Sequence, residues 1–161
     1  MTERPLSPVV LDHSVDQQPE DPLTAFFGPP ISIYSREQAL EDGVLVDVSA
    51  WATSGPDGMM GGFCVPVVMT RALWWAVDLD ADDEARWRRL ARQRGESTRG
   101  RAHDVLWMAS LAARRAANTD RVSFVVLMTG EGASGRVVLR RLHLDAVIDG
   151  DGVAIGFPGD F

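Results

Sequence analysis

The sequence predicts an α+β fold, a mostly antiparallel sheet with a C-terminal three-strand meander packed on two or three helices. Three observations carry this expectation. Residues 136–147 alternate apolar and polar side chains between two further strand-like runs, 122–129 and 153–157, joined by glycine-rich turns, the mark of an antiparallel meander. Residues 71–117 place apolar side chains at helical spacing. Two short apolar runs, 44–48 and 63–69, precede those helices without the regular strand–helix alternation of a parallel sheet.

The elements follow in chain order. Residues 1–30 hold six of the nine prolines together with Asp12, Asp16, Glu20 and Asp21. Each proline fixes φ and removes a donor, so an acidic tail without regular structure is expected. Leu23, Phe26 and Phe27 are its candidate anchors. A single domain is expected over 31–161, opening with a short strand at Ile31–Tyr34. Ser35-Arg36-Glu37-Gln38 fits a capping box, with a helix running to about Asp42 and stopping at Gly43. Val44–Val48 reads as a strand and Ser49–Ala52 as a helical turn. Gly55-Pro56-Asp57-Gly58 and Gly61-Gly62 are turn signals. Phe63–Met69 reads as a strand interrupted by Pro66, which suits an edge or a first paired residue.

Thr70 caps a helix over Arg71–Val77 that presents Leu73, Trp74 and Val77. A second helix is predicted over Asp82–Arg94, with Trp87, Leu90 and Ala91 on one face, then a polar loop Gly95–Gly100. Ala102–Ala117 has the clearest apolar stripe: Val105, Met108, Ala109, Ala112 and Ala116. Leu106, Trp107 and Leu111 widen it, so this helix is expected to be the most enclosed. Val122–Thr129, Arg136–Val147 and Val153–Phe157 form the meander, joined by Gly130–Gly135 and by Asp149-Gly150-Asp151-Gly152. In the middle strand Val138, Leu142 and Leu144 are expected on one face and Arg141, His143 and Asp145 on the other.

The chain has 161 residues, 45% hydrophobic and 24% charged. That balance suits one globular domain and excludes collagen, coiled-coil and disulfide-scaffold classes. No run approaches the ~18 apolar residues of a membrane span and no secretory pattern opens the chain, so a cytoplasmic protein is expected. Cys64 is the only cysteine, which excludes an intrachain disulfide, and its apolar surroundings predict a small buried hydrophobe. All sixteen basic residues are arginine, as in the codon usage of a high-GC bacterium. The net charge of −7 hides a polarised chain: residues 1–85 carry −12, residues 86–141 carry +9 and the last twenty carry −4.

Four groups of residues are candidates for function. Arg86, Arg88, Arg89, Arg92, Arg94, Arg99 and Arg101 form a cluster of the kind that phosphate backbones attract. The pairs Asp82–Arg86 and Glu84–Arg88 at i,i+4 spacing account for the same pattern without a ligand. Asp78, Asp80, Asp82, Asp83 and Glu84 form an acidic run suited to a basic partner or, more plainly, to a solvated loop. It lacks the glycine and distal glutamate of a calcium loop, so no metal is expected. Glu41, Asp42, Asp47 and Asp104 are the carboxylates from which a general acid/base pair could be built, although Asp42 and Asp104 also suit helix-end roles. His13, His103 and His143 have no metal-site spacing, and the row Arg141, His143, Asp145 reads as a solvated face as readily as an acid–base row. Trp74, Trp75, Trp87 and Trp107 are expected in packing. No nucleotide-binding or nucleophile-elbow motif is present, and no cofactor is expected.

Two stretches carry a resemblance, Ile33–Val48 and Asp104-Val105-Leu106-Trp107-Met108-Ala109, with Pro66–Arg71 between them and Phe157-Pro158-Gly159-Asp160 after them. Over residues 31–161 their order resembles a family of uncharacterised small proteins carried by bacterial plasmids, integrative elements and phages. The long N-terminal tail and the loop Gly55–Gly62 depart from that pattern. The resemblance implies a setting and carries no catalytic residue. With the polarised charge, it leads to the expectation of a non-enzymatic accessory protein of a mobile element acting through protein contacts, in its sharper form an inhibitor of restriction or CRISPR defence. The partner is unknown. An enzyme using a carboxylate pair and nucleic-acid binding through residues 86–101 remain the alternatives.

Overall fold

Local capping chemistry sets the first elements. The structure, a computed structural model, describes residues 34–53, 62–81, 85–116 and 118–161. The tail 1–30 with its anchors Leu23, Phe26 and Phe27, the strand expected from Ile31, the turn at 55–58, and Asp82, Asp83 and Glu84 lie outside the described residues. Helix α1 (Arg36–Glu41) has the expected capping box: the Gln38 amide donates to Ser35 Oγ at 3.2 Å and the Ser35 amide to Gln38 Oε1 at 2.9 Å. Gly43 follows at φ +69, a left-handed conformation that glycine adopts without strain. Strand β1 (Leu45–Asp47) leads into α2 (Ser49–Ala52), whose first amide donates to Asp47 Oδ1 at 2.8 Å.

Strand β2 covers only Val67–Thr70, a correction to the expected Phe63–Met69. Pro66 has no N–H to give a ladder, and the chain uses its carbonyl instead, accepting from the Val153 amide at 2.9 Å. Cys64, before that strand, is exposed rather than buried, because the segment that should have enclosed it is not a strand. Thr70 caps α3 (Arg71–Val77) as expected, accepting from the Leu73 amide. Helix α4 is Arg86–Gln93. Helix α5 is Thr98–Arg115, so the polar loop ends earlier than predicted. Ser97 Oγ accepts from the Gly100 amide at 3.1 Å and starts the helix before Ala102.

Strands β3 (Arg121–Glu131), β4 (Val137–Asp149) and β5 (Gly152–Gly156) form the expected antiparallel meander. The sheet order is β1-β2-β5-β4-β3. β1 pairs antiparallel with β2, and β2 pairs parallel with β5. The fold is thus α+β, with a mixed, mostly antiparallel five-stranded sheet packed against several helices.

One sheet face carries the core. Met69, Val126, Leu142, Leu144 and Ile155 from the strands meet Leu73 and Val77 of α3 and Val105, Leu106 and Ala109 of α5. Each fully buried aliphatic side chain contributes roughly 1.5–3 kcal/mol. The packing departs from expectation at particular residues. α5 holds more buried residues than any other described helix, as expected, but Trp107, expected in packing, is exposed along with Asp104, Arg114 and Arg115. Trp75 is 50% exposed, because Leu73 and Val77 already turn the other side of α3 inward. Val138 keeps the face of Leu142 but stands exposed near the hairpin tip, outside the core cluster. Asp145 is buried rather than solvated. Arg121 Nε at 2.9 Å and the Ser123 hydroxyl at 2.6 Å both donate to its carboxylate.

Candidate functional site

The four candidate carboxylates serve local structure or face solvent. Glu41 is exposed at the end of α1, and Asp42 accepts from the Tyr34 hydroxyl at 2.9 Å. Asp47 opens α2. Asp104 does not cap a helix, because α5 starts six residues earlier; its side chain is 62% exposed, beside His103. No two of the four line a common concavity among the described residues. His143 is exposed on β4 opposite Val125, and its expected neighbour Asp145 is engaged by Arg121. Among the described residues no group of three or more His, Cys, Asp or Glu side chains could hold a metal ion, and no helix is long and apolar enough to cross a membrane.

The acidic run is partly spent on the fold. Thr98 Oγ1 donates to Asp80 Oδ2 at 2.7 Å and accepts from the Leu79 amide at 2.9 Å, while Asp78 Oδ1 accepts from the Asp80 amide. This pins the loop after α3 to the start of α5.

The arginine cluster divides into two sets. Arg86, Arg89, Arg92, Arg94 and Arg99 are exposed, and Arg92 Nη1 donates to the Leu79 carbonyl. Arg88 and Arg101 are buried, out of reach of a phosphate backbone. The Arg88 guanidinium lies 4.6 Å from the ring centroids of both Trp75 and Trp87. Its Nε donates to the Asp78 carbonyl and its Nη2 to the Trp75 carbonyl, closing the end of α3. The Arg101 guanidinium lies 5.3 Å from the Trp87 ring centroid. Burial lowers the Arg101 pKa, Glu96 at 3.4 Å opposes the shift and Arg88 adds to it. Arg88 was recognisable in sequence: it stands three residues before Ala91, on the buried stripe of α4.

Strand β3 carries the feature that residue-type reasoning missed. It is an edge strand of eleven residues. The Ile148 amide donates to the Asp120 carbonyl at 2.7 Å, and the register pairs Val122 with Ala146 and Phe124 with Leu144. Hydrogen-bonded pairs recur every second residue, so even-numbered residues of β3 direct N–H and C=O at β4 and odd-numbered residues direct theirs at the free edge. Both ends of that edge are closed internally. Thr119 Oγ1 accepts from the Arg121 amide and donates to the Arg121 carbonyl, and Arg101 Nη2 donates to the Thr129 carbonyl at 2.6 Å. Between them the backbone groups of Ser123, Val125 and Leu127 face outward with no partner among the described residues. No charge, proline or bulge protects Ser123-Phe124-Val125-Val126-Leu127. Beside this edge a groove of about 490 Å³ runs along α5. Met108, Leu111 and Ala112 form its helical wall, Arg115 and Arg121 stand among its lining residues, and no acid lines it.

A second concavity, of about 250 Å³, lies between α3, α4 and the distal half of the β3–β4 hairpin, lined by Trp75, Trp87, Arg101, Met128, Arg140 and Leu142 among others.

Fold and sites together define a small mixed-sheet α+β domain with an unprotected edge strand and a tryptophan-lined cleft. The chain belongs to a family of unknown function (DUF6573), whose profile matches residues 25–154. No curated protein and no solved structure matches it.

Proposed function

We propose that this is a non-enzymatic contact protein in which an extended segment of a partner protein joins β3 as a sixth strand. The observation that supports the reading is the set of outward backbone groups at Ser123, Val125 and Leu127, bounded by internal caps at Arg121 and Thr129. Strand addition uses such groups for affinity and alternate side chains for specificity. The groove asks for apolar residues against Met108 and Leu111, and Arg115 asks for an acidic residue. The partner is thus an alternating apolar segment with an acid at one end. In the mobile-element setting that the family resemblance suggests, that partner belongs to the element or its host, and inhibition of a host defence complex is the sharper form of the reading.

The test is selection of displayed peptides on the folded protein. Alternating apolar peptides with an acidic end should be enriched, and amide exchange at Ser123, Val125 and Leu127 should slow in the complex. Val125→Pro removes one outward donor and no ladder bond. It should keep the circular dichroism of the parent and lose peptide binding. Equal binding by the parent and Val125→Pro would overturn the proposal.

A further inference from the structure

We propose that the cleft between α3, α4 and the β3–β4 hairpin binds a small aromatic carboxylate. The argument starts from side chains whose polar groups are unspent. The Arg101 side chain is 4% exposed, and its Nη2 holds the Thr129 carbonyl. Its Nε has no hydrogen-bond partner, and its Nη1 has only the 3.4 Å approach of Glu96. Trp87 Nε1 is likewise buried without a partner. Buried donors are nearly always paired, and each exception requires a cause. Such a donor also occurs away from this cleft, at Arg36 Nη1, but those of Arg101 and Trp87 belong to two residues that line it.

The remaining walls define what would pair with them. Trp75 and Trp87 stand with ring centroids 5.4 Å apart at 56°, and Trp75 leaves half its surface uncovered. Met128 and Leu142 supply apolar floor. A flat ring stacks on such a surface, since aromatic faces attract one another beyond the area they bury. Glu96 already faces Arg101, so the rim arginine Arg140 is the group that would take an anion here. An arginine fork matches a carboxylate with two parallel hydrogen bonds. The Arg140 stem passes over Gly130, where an added Cβ would stand 3.0 Å from its Cδ, so this glycine gives the rim arginine its room. A cavity of about 250 Å³ admits one ring with one carboxylate and little more.

This site is separate from the β3 edge, and its test does not depend on peptide binding. Benzoate is titrated into ¹⁵N-labelled protein and the indole N–H of Trp87 is followed. That resonance should shift and saturate at roughly millimolar benzoate, the range open to so small a ligand. Benzyl alcohol, the same ring without charge, and inorganic phosphate, charge without the ring, should each bind at least about tenfold more weakly, a loss of about 1.4 kcal/mol. Trp75→Ala and Arg140→Gln, both at exposed positions, should weaken benzoate binding while leaving the fold intact. An unmoved Trp87 resonance, equal binding of benzyl alcohol or phosphate, or undiminished binding by Trp75→Ala would overturn the proposal.

Discussion

Arg101 Nη2 donates to the Thr129 carbonyl at 2.6 Å, joining the first turns of α5 to the outward side of the edge strand. Glu96 completes the joint, accepting from the Thr129 hydroxyl and facing Arg101. Arg101→Met keeps the aliphatic stem and removes the donor. The buried Thr129 carbonyl then loses its partner, which should cost about 1–3 kcal/mol. Urea unfolding should show a lower midpoint with an unchanged slope, since compactness is not altered.

Arg88 closes the end of α3 with two donors of one planar group, to the Trp75 carbonyl at 2.8 Å and the Asp78 carbonyl at 2.7 Å. The same plane faces two indole rings. Lysine keeps the charge but not the fork or the flat face. Arg88→Lys should therefore cost about 2–4 kcal/mol, more than loss of an exposed arginine such as Arg89, which should stay within about 0.5 kcal/mol. Thermal unfolding of the two variants side by side checks the ranking.

Those two arginines mark the limit of what the sequence disclosed. The capping box of α1, the Thr70 cap of α3 and the meander are local chemistry, and each stands where its residues placed it. The parallel pairing of Val67 with Val153 joins distant parts of the chain, and no local pattern encodes it. That pairing, with the meander, makes β3 an edge. The apolar, β-branched run in Val122–Thr129 shows a strand but not which side of it is free. The arginine run announces its charge, whereas the signal for burial is the helical stripe through Arg88 and Ala91. Trp75 stands two residues after Leu73, on the opposite side of the helix, and that spacing already pointed it outward. Asp145 has the parity of a solvated residue, and only the Arg121 and Ser123 side chains across the ladder explain its burial.

The Asp149 carboxylate gives the fold a dependence on acid. Burial pushes its pKa up, but the Asp151 amide, the Arg36 guanidinium and the Gly152 amide outweigh that effect and hold it below the usual carboxylate value. A carboxyl that is more acidic in the folded chain adds stability above its unfolded pKa of about 4, and that contribution fades as pH falls through the folded value. The Asp149 side chain is half exposed, so solvent screening keeps the pair with Arg36 to less than about 1 kcal/mol. Asp149→Asn should be slightly less stable than the parent at neutral pH, and the gap should close as pH falls below the unfolded carboxylate value of about 4 and through the lower folded one. Urea midpoints across that range provide the measurement, and a gap that stays constant with pH would remove the carboxylate from the account.

Gly150 and Gly152 belong to one turn and should respond to alanine in opposite ways. Gly152 has φ +132, a region that side-chain-bearing residues rarely adopt. An added Cβ there would also collide with the Pro66 carbonyl oxygen, the acceptor for the Val153 amide. Backbone cannot swing aside as a side chain can, so Gly152→Ala must either break that bond or separate β5 from β2. Strain and lost pairing together should cost at least about 2 kcal/mol. At Gly150 a Cβ would meet nothing within 4 Å, and its φ is not positive. Gly150→Ala should change stability by no more than about 0.5 kcal/mol. The contrast isolates the parallel junction from the turn itself. If both variants unfolded at the same urea concentration, the close approach of β5 to Pro66 would not be what holds the two halves of the sheet together.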